Sequence, residues 1–275
     1  MIKLNKDLTI LPVSLIPPYL EFFKDRVGRK VIPIPGPSKT THQRRTELIE
    51  KGSYIDTDVY NTRYKLTDIK TALRLIYNNK CAFCEQIIEQ YHVEHYRPKS
   101  IYYWLAYSWD NLLMACSLCN EYKGNNFELD GAKVSFVNND NNLKAINILS
   151  ANYDLKEFPQ LVNPEVTDPE GKIVFNQKGE ISSEDKRFKY TISICKVDRE
   201  ILNDWRRGIL DRFRENVRDA LLNNESISDQ LVALKTNLNN FKSDSENPKL
   251  EYLAFRRFAI SNNWLNTIIK ELKVG

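Results

Sequence analysis

The spacing of its cysteines restricts this chain more than any other feature. Four of the five fall into two Cys-x-x-Cys pairs, Cys81/Cys84 and Cys116/Cys119, with 31 residues (85–115) between the pairs. Each pair bends tightly enough to aim both sulfurs at one ion, so together they can supply four thiolates to one tetrahedral zinc. The gap exceeds the roughly 15–20 residues usual between such knuckles, so something folded must sit between them. A closed four-thiolate site has no open coordination position, which makes the zinc structural. A redox role is the lesser alternative, because two pairs of comparable tightness point to a metal. Five cysteines in 275 residues are too few for a disulfide scaffold. Cys195, alone in an apolar stretch, reads as a small buried core residue.

The composition suits a folded body. Hydrophobic residues make up 42% and charged residues 28%, with only 9 Gly and 11 Pro, which excludes disordered, collagen-like and linker-like chains. The length allows one large domain or two ordinary ones. No apolar run approaches the roughly 18 residues of a membrane span. The stretch after Lys3 and Lys6 meets Pro12 and Pro17-Pro18 and offers no small-residue cleavage site, so no signal peptide is expected. The expectation is a soluble, cytoplasmic protein with no membrane partner. A net charge of +4 is too small to identify nucleic-acid binding by itself.

Outside the cysteine segment the chain reads as mostly helical. Leu20, Phe23 and Val27 recur at helical spacing after Pro17-Pro18 and predict a helix. Pro33, Pro35, Gly36 and Pro37 predict a loop, and residues 38–41 offer caps for a polar helix through Glu50, ended by Gly52. Thr67 is expected to cap a helix with Ile69, Leu73, Leu75 and Ile76 inward, stopped by Asn78-Asn79. Residues 138–142 read as Asn-rich turns, and 172–175 with 180–181 as a β-hairpin. Further on, Leu202, Trp205, Ile209, Phe213 and Val217 keep a helical period, and helices are expected over 226–241 and 250–272. The expected layout is an N-terminal helical region (1–79), a core (80–127), a loop and β-hairpin extension (128–183) and a C-terminal helical region (184–275), packed as one body.

Residues 91–99 read Tyr-His-Val-Glu-His-Tyr-Arg-Pro-Lys, with a strand expected over 91–96 and ended by Pro98. Asn111-Leu112 follows. Then comes Cys116-x-x-Cys119-Asn120-x-x-Lys123-Gly124, which puts the second knuckle on or beside a short helix. Together with Glu94-His95-x-x-Pro98, this conjunction resembles an HNH endonuclease, the ββα-metal fold in its zinc-stapled variant, over residues 81–127. The phrase at 91–99, with Leu161-Val-Asn-Pro164 and Asp168-Pro-Glu170 before a hairpin, resembles more narrowly the HNH subunit of Septu-type, and retron-linked, bacterial anti-phage defence systems. The resemblance implies an α+β, predominantly α-helical protein, with a ββα-metal core and structural zinc flanked by N- and C-terminal helical segments. It also implies hydrolysis of phage or plasmid DNA, leaving 5′-phosphate and 3′-hydroxyl ends, beside an ATPase partner in a hetero-oligomeric complex.

Phosphodiester hydrolysis needs a base to deprotonate water and a cation to stabilise charge on the phosphate and leaving oxygen. A neutral His suits the first need at physiological pH. Carboxylate and amide oxygens suit a hard cation, magnesium or manganese. His95 is the expected base, and Glu94 and Asn120 the expected ligands of the catalytic ion. The resemblance assigns Asn111 to hold the loop and orient His95 through its backbone. Lys123 is expected to meet the phosphate as a point charge. Glu94 departs from the family, which usually has Asp there, and His92, on the same strand face, is a further candidate to assist the metal.

Plainer readings stand beside these. His95 alone reads as a core histidine, Asn111 as a turn residue, and Lys123 and Arg97 as solvated charges. Residues 186–218 carry ten Lys/Arg against five Asp/Glu. With Arg206, Arg207 and Arg214, that suits either a phosphate-facing helix or a solvated one with i,i+4 pairs. Tyr102, Tyr103, Trp104 and Tyr107 suit either base stacking or a loop tucked into the core. A catalytically silent zinc-scaffolded nucleic-acid-binding adaptor, and an HNH enzyme that cleaves RNA or tRNA, are the competing functions.

Overall fold

The ribbon that carries the site forms where short apolar runs can pair. Residues His92–His95 (β3) and Leu112–Ala115 (β4) run antiparallel, with His95 opposite Leu112 and His92 opposite Ala115. Every residue of β4 is buried, as expected of a strand covered on both faces. Cys116 then caps helix α4 (Ser117–Lys123), its Sγ accepting the backbone N–H of Cys119 at 3.4 Å. Gly124 ends the helix at φ 47°. In this computed structural model residues 1–16, 23–24, 30–31 and 39–274 are described. The expected helix positions Leu20 and Val27, the Pro-rich loop at 33–37 and the cap at Ser38 lie outside them. Phe23 is a correction, since Phe23–Lys24 (β1) pairs antiparallel with Lys30–Val31 (β2) instead of continuing a helix.

On the N-terminal side, Thr40 and Gln43 make a reciprocal capping box for α1 (Thr41–Lys51), and Gly52 closes it at φ 72°. A short helix α2 (Asp58–Asn61) leads into a 3-10 turn, Arg63–Lys65, and then into α3 (Thr67–Tyr77). Helix α3 begins at Thr67 with Leu66, not Thr67, at the cap position. Its inward row is Ile69, Leu73 and Tyr77, spaced i, i+4, i+8, whereas Leu75 is 59% exposed, contrary to expectation.

The segment after the core holds more helix than the sequence suggested. Asn139 caps α5 (Asp140–Lys144) where turns were expected, and α6 (Leu149–Glu157) follows. The expected hairpin is present as Val174–Phe175 (β5) against Ile181–Ser182 (β6). Gly179 at its turn is required, because a Cβ there would come within 2.1 Å of the Asn203 carbonyl oxygen.

Asp185 caps α7 (Lys186–Ile194) through two backbone N–H groups, and α8 (Glu200–Leu222) is the longest helix among the described residues. Its buried row is Leu202, Arg206, Leu210, Phe213, Val217 and Ala220, so the expected stripe was misplaced at Trp205, which is 42% exposed. Helix α9 (Ile227–Glu246) runs through the expected linker at 243–246, and the last expected helix divides at Asn262-Asn263 into α10 (Leu253–Ser261) and α11 (Trp264–Val274). Helix α8 packs against α9 and α11, and α9 against α10. The ribbon, both cysteine pairs and these helices share one core. No helix among the described residues is long and apolar enough to cross a membrane.

Candidate functional site

The four cysteines converge. The Sγ atoms of Cys81, Cys84, Cys116 and Cys119 all lie within 4.8 Å of one another, and Cys84 and Cys116 are 3.9 Å apart. A tetrahedral zinc with sulfurs at about 2.3 Å spaces them by about 3.8 Å, so the set fits that ion. The first knuckle is fixed by Glu85 N–H donating to the Cys81 carbonyl and Ala82 N–H to the Met114 carbonyl of β4. Arg199, the residue before α8, aims its guanidinium at the cluster, 3.5 Å from Cys119 and 3.9 Å from both Cys84 and Cys116. Four thiolates around a divalent ion carry two net negative charges, one of which a guanidinium offsets. No local pattern in the sequence pointed to Arg199.

The ribbon and α4 border one solvent-open cleft of about 220 Å³, lined by His92, Glu94, His95 and Asn120, with Tyr64, Lys65 and Lys99 from neighbouring segments. Three of the expected site residues are therefore side by side. His95 is buried, and its Nε2 lies 2.9 Å from the Ala106 carbonyl oxygen. A carbonyl only accepts, so Nε2 carries the proton and Nδ1 keeps its lone pair. Burial drives the ring's pKa down to about 3, helped by the nearby Lys99, Lys123 and Lys65, while the bond to Ala106 opposes the fall; the free imidazole is neutral. Tyr64 meets the ring edge-on at 4.5 Å between centroids.

Asn111 is fully buried and lies behind the cleft rather than in it. Its Oδ1 accepts the Arg97 N–H at 2.8 Å, and its Nδ2 donates to the carbonyls of Arg97 at 3.1 Å and Leu105 at 3.2 Å. It thereby clips together the strand end that bears His95 and the loop that bears Ala106. Its place at the end of a 3-10 turn is real as well.

Several charged and aromatic residues stand elsewhere than expected. Lys123 is not a phosphate contact: it is fully buried, donating to Glu94 Oε1 at 2.6 Å and to the His95 carbonyl at 2.8 Å. Burial pushes the Glu94 carboxyl upward, and Lys123 opposes that rise. Arg97 is not solvated either; it is buried beneath the ribbon, bonded to Glu157, Ser150 and Asp154 of α6. On α8, Arg206 is buried and donates to the carbonyls of Gly179 and Val197, while Arg207 and Arg214 pair with Asp204 and Asp211. The solvated-helix reading thus describes α8 better than a phosphate-facing one. Tyr102, Trp104 and Tyr107 are core residues, not stacking platforms.

Comparison with known proteins agrees with this geometry. Residues 80–126 match the HNH endonuclease family. The chain is 30% identical over 202 residues to a Septu protein PtuB of Bacillus mycoides (strain KBAB4), an alignment covering 66% of this chain and 62% of that protein. It is 37% identical over 92 residues to a Septu protein PtuB of Bacillus thuringiensis, covering 32% of this chain and 35% of the relative. The chain thus spans less than two thirds of the length of either relative. Residues 80–126, the ribbon and helix gathered around four cysteines, are an HNH endonuclease domain in a chain homologous to Septu protein PtuB.

Proposed function

We propose that this chain is a metal-dependent endonuclease that hydrolyses DNA phosphodiester bonds, working in the cytoplasm beside an ATPase partner in anti-phage defence. The observation that carries the reading is the shared cleft, in which an imidazole whose Nδ1 has no hydrogen-bond partner among the described residues adjoins a carboxylate and an amide. His95 Nδ1 takes the proton of the attacking water, and the Nε2–H bond to the Ala106 carbonyl steadies the positive charge that develops on the ring. Asn111 keeps that carbonyl and the strand end in register, as a positioning residue. Glu94 and Asn120 offer the oxygen donors that a magnesium or manganese ion prefers, with His92 beside them. Such an ion supplies charge stabilisation at the phosphate and the leaving oxygen. Lys123 lies under Glu94, opposes the rise that burial imposes on its carboxyl, and ties α4 to β3. The zinc held by Cys81, Cys84, Cys116 and Cys119 is structural and takes no part in the chemistry.

The similarity to Septu protein PtuB supports the defence role; the ATPase, sought among neighbouring genes, rests on the resemblance carried by residues 91–99 and 161–170. The test is incubation of supercoiled plasmid with the purified protein, alone and with that ATPase, under magnesium, manganese or chelator. Nicking that needs the divalent ion and leaves religatable ends is the expected result. Cleavage confined to RNA, or none under any of these conditions, would refute the proposal.

A further inference from the structure

The cleft has a wall that lies outside the HNH-matched residues. The 3-10 turn Arg63–Lys65 brings Tyr64 against the His95 ring and places Lys65, an exposed residue, at the cleft's edge. Near it stands Lys99, a few residues past the end of β3; the Lys65 and Lys99 ammoniums lie 5.4 Å and 6.0 Å from the Tyr64 ring centroid. The Lys99 ammonium is held by segment 54–61: it lies 3.9 Å from the Tyr54 ring centroid, 3.4 Å from Asn61 Oδ1 and 3.6 Å from Asp56. Asp56 is 77% exposed on its side chain, so that ion pair is weak and exchangeable in water.

The charges around the cleft are unevenly disposed. Glu94 is matched by Lys123 from beneath, which leaves Lys65 and Lys99 as a pair of cations at the opening. Lys65 is exposed and the Lys99 side chain is 25% exposed, whereas Lys123 is fully buried. Both lysines line the cleft that His95 lines, where a polynucleotide must lie if the ring is to reach a water in line with a phosphodiester.

We propose that Lys65 and Lys99 form a two-point clamp for the backbone phosphates of duplex DNA that flank the scissile bond. The clamp makes the N-terminal segment part of the substrate site. It rests on the nuclease reading above, and it assigns to these two lysines the phosphate contact that Lys123 does not make.

The test uses full-length, zinc-loaded His95→Ala protein, so that substrate survives, and a short labelled duplex DNA titrated across a salt series. Lys65→Ala and Lys99→Ala are each expected to weaken binding several-fold at low salt and to lower the slope of log K against log salt by about one. Lys99→Arg, which keeps the charge, should retain the parental slope. Because Lys65 is exposed, its variant should keep parental zinc content and melting, and it decides the matter if Lys99→Ala fails to fold. Unchanged slope and affinity in Lys65→Ala, or no salt-dependent duplex binding by the parent, overturns the clamp. Wild-type cleavage separates the two claims. Unchanged slopes with an active wild type remove the clamp alone. Reduced slopes with a wild type that never cleaves keep the clamp and remove the nuclease.

Discussion

The ribbon-and-helix core and the long helix α8 are both rich in cations, yet they use them in opposite ways. In the core, Arg97 and Lys123 are fully buried and each holds two or more oxygen acceptors, so their charge builds the site rather than meeting a ligand. On α8, Arg207 is half-exposed and pairs with acidic neighbours one turn away. A count of Lys and Arg along the sequence favours α8 as the nucleic-acid surface. The geometry favours the cleft, where Lys65 and Lys99 share the lining with His95.

The largest effect should come from the cluster on which the core depends. Cys81→Ser should abolish stoichiometric zinc and yield insoluble or unfolded protein, because a structural zinc contributes roughly 10–16 kcal/mol of apparent binding energy to folding. Zinc analysis and circular dichroism check this; a folded, zinc-free variant would break the contrast at its root.

The two classes of arginine come next. Arg97→Ala leaves Glu157 buried without its cation and should destabilise the protein by about 3–5 kcal/mol. Arg207→Ala should stay within about 0.5 kcal/mol of wild type, as exposed i,i+3 and i,i+4 pairs do. Chemical denaturation measures both, and similar losses would erase the distinction.

Asp110 sharpens the picture of the buried polar core. Burial pushes its carboxyl up to about 8, against the opposing effects of the Ala151 N–H and Lys6, and its Oδ1 has no hydrogen-bond partner among the described residues. A folded pKa above the unfolded value means that the protonated carboxyl is the form the fold accepts. This contribution is complete below about pH 4 and is lost as the pH climbs toward 8. Asp110→Asn should therefore stabilise the protein at neutral pH, by at most a few kcal/mol, and flatten stability across that window. Melting scans from pH 5 to 8 test it.

A smaller effect is expected at Arg199. Arg199→Ala should lower zinc affinity by about 10- to 100-fold, as losses of outer-shell partners do, while zinc still binds at saturation. Competition with a chromogenic chelator reads it directly.

What the sequence made legible was local. Cysteine spacing announced the cluster, the caps offered at 38–41 and the stop at Gly52 marked the ends of α1, and the run from residue 91 to Pro98 marked β3. What it hid was set by distant partners. Lys123 meets Glu94 across 29 residues and Arg97 meets Glu157 across 60, so nothing beside either cation in the chain announces its burial. Helix α6 escaped notice because two of its three buried residues, Ser150 and Glu157, are polar and draw no apolar stripe. The row on α8 was misplaced for the same reason: Arg206 occupies an inward position that periodicity reserves for an apolar side chain.

The central claim is that the cleft is a hydrolytic site with His95 as its base. Its most direct test is plasmid cleavage by His95→Ala beside wild type, with the divalent ion and the ATPase present, at matched zinc content and melting temperature. The account predicts a loss of about 100-fold or more in rate with the fold intact. Equal rates in the two proteins would contradict it.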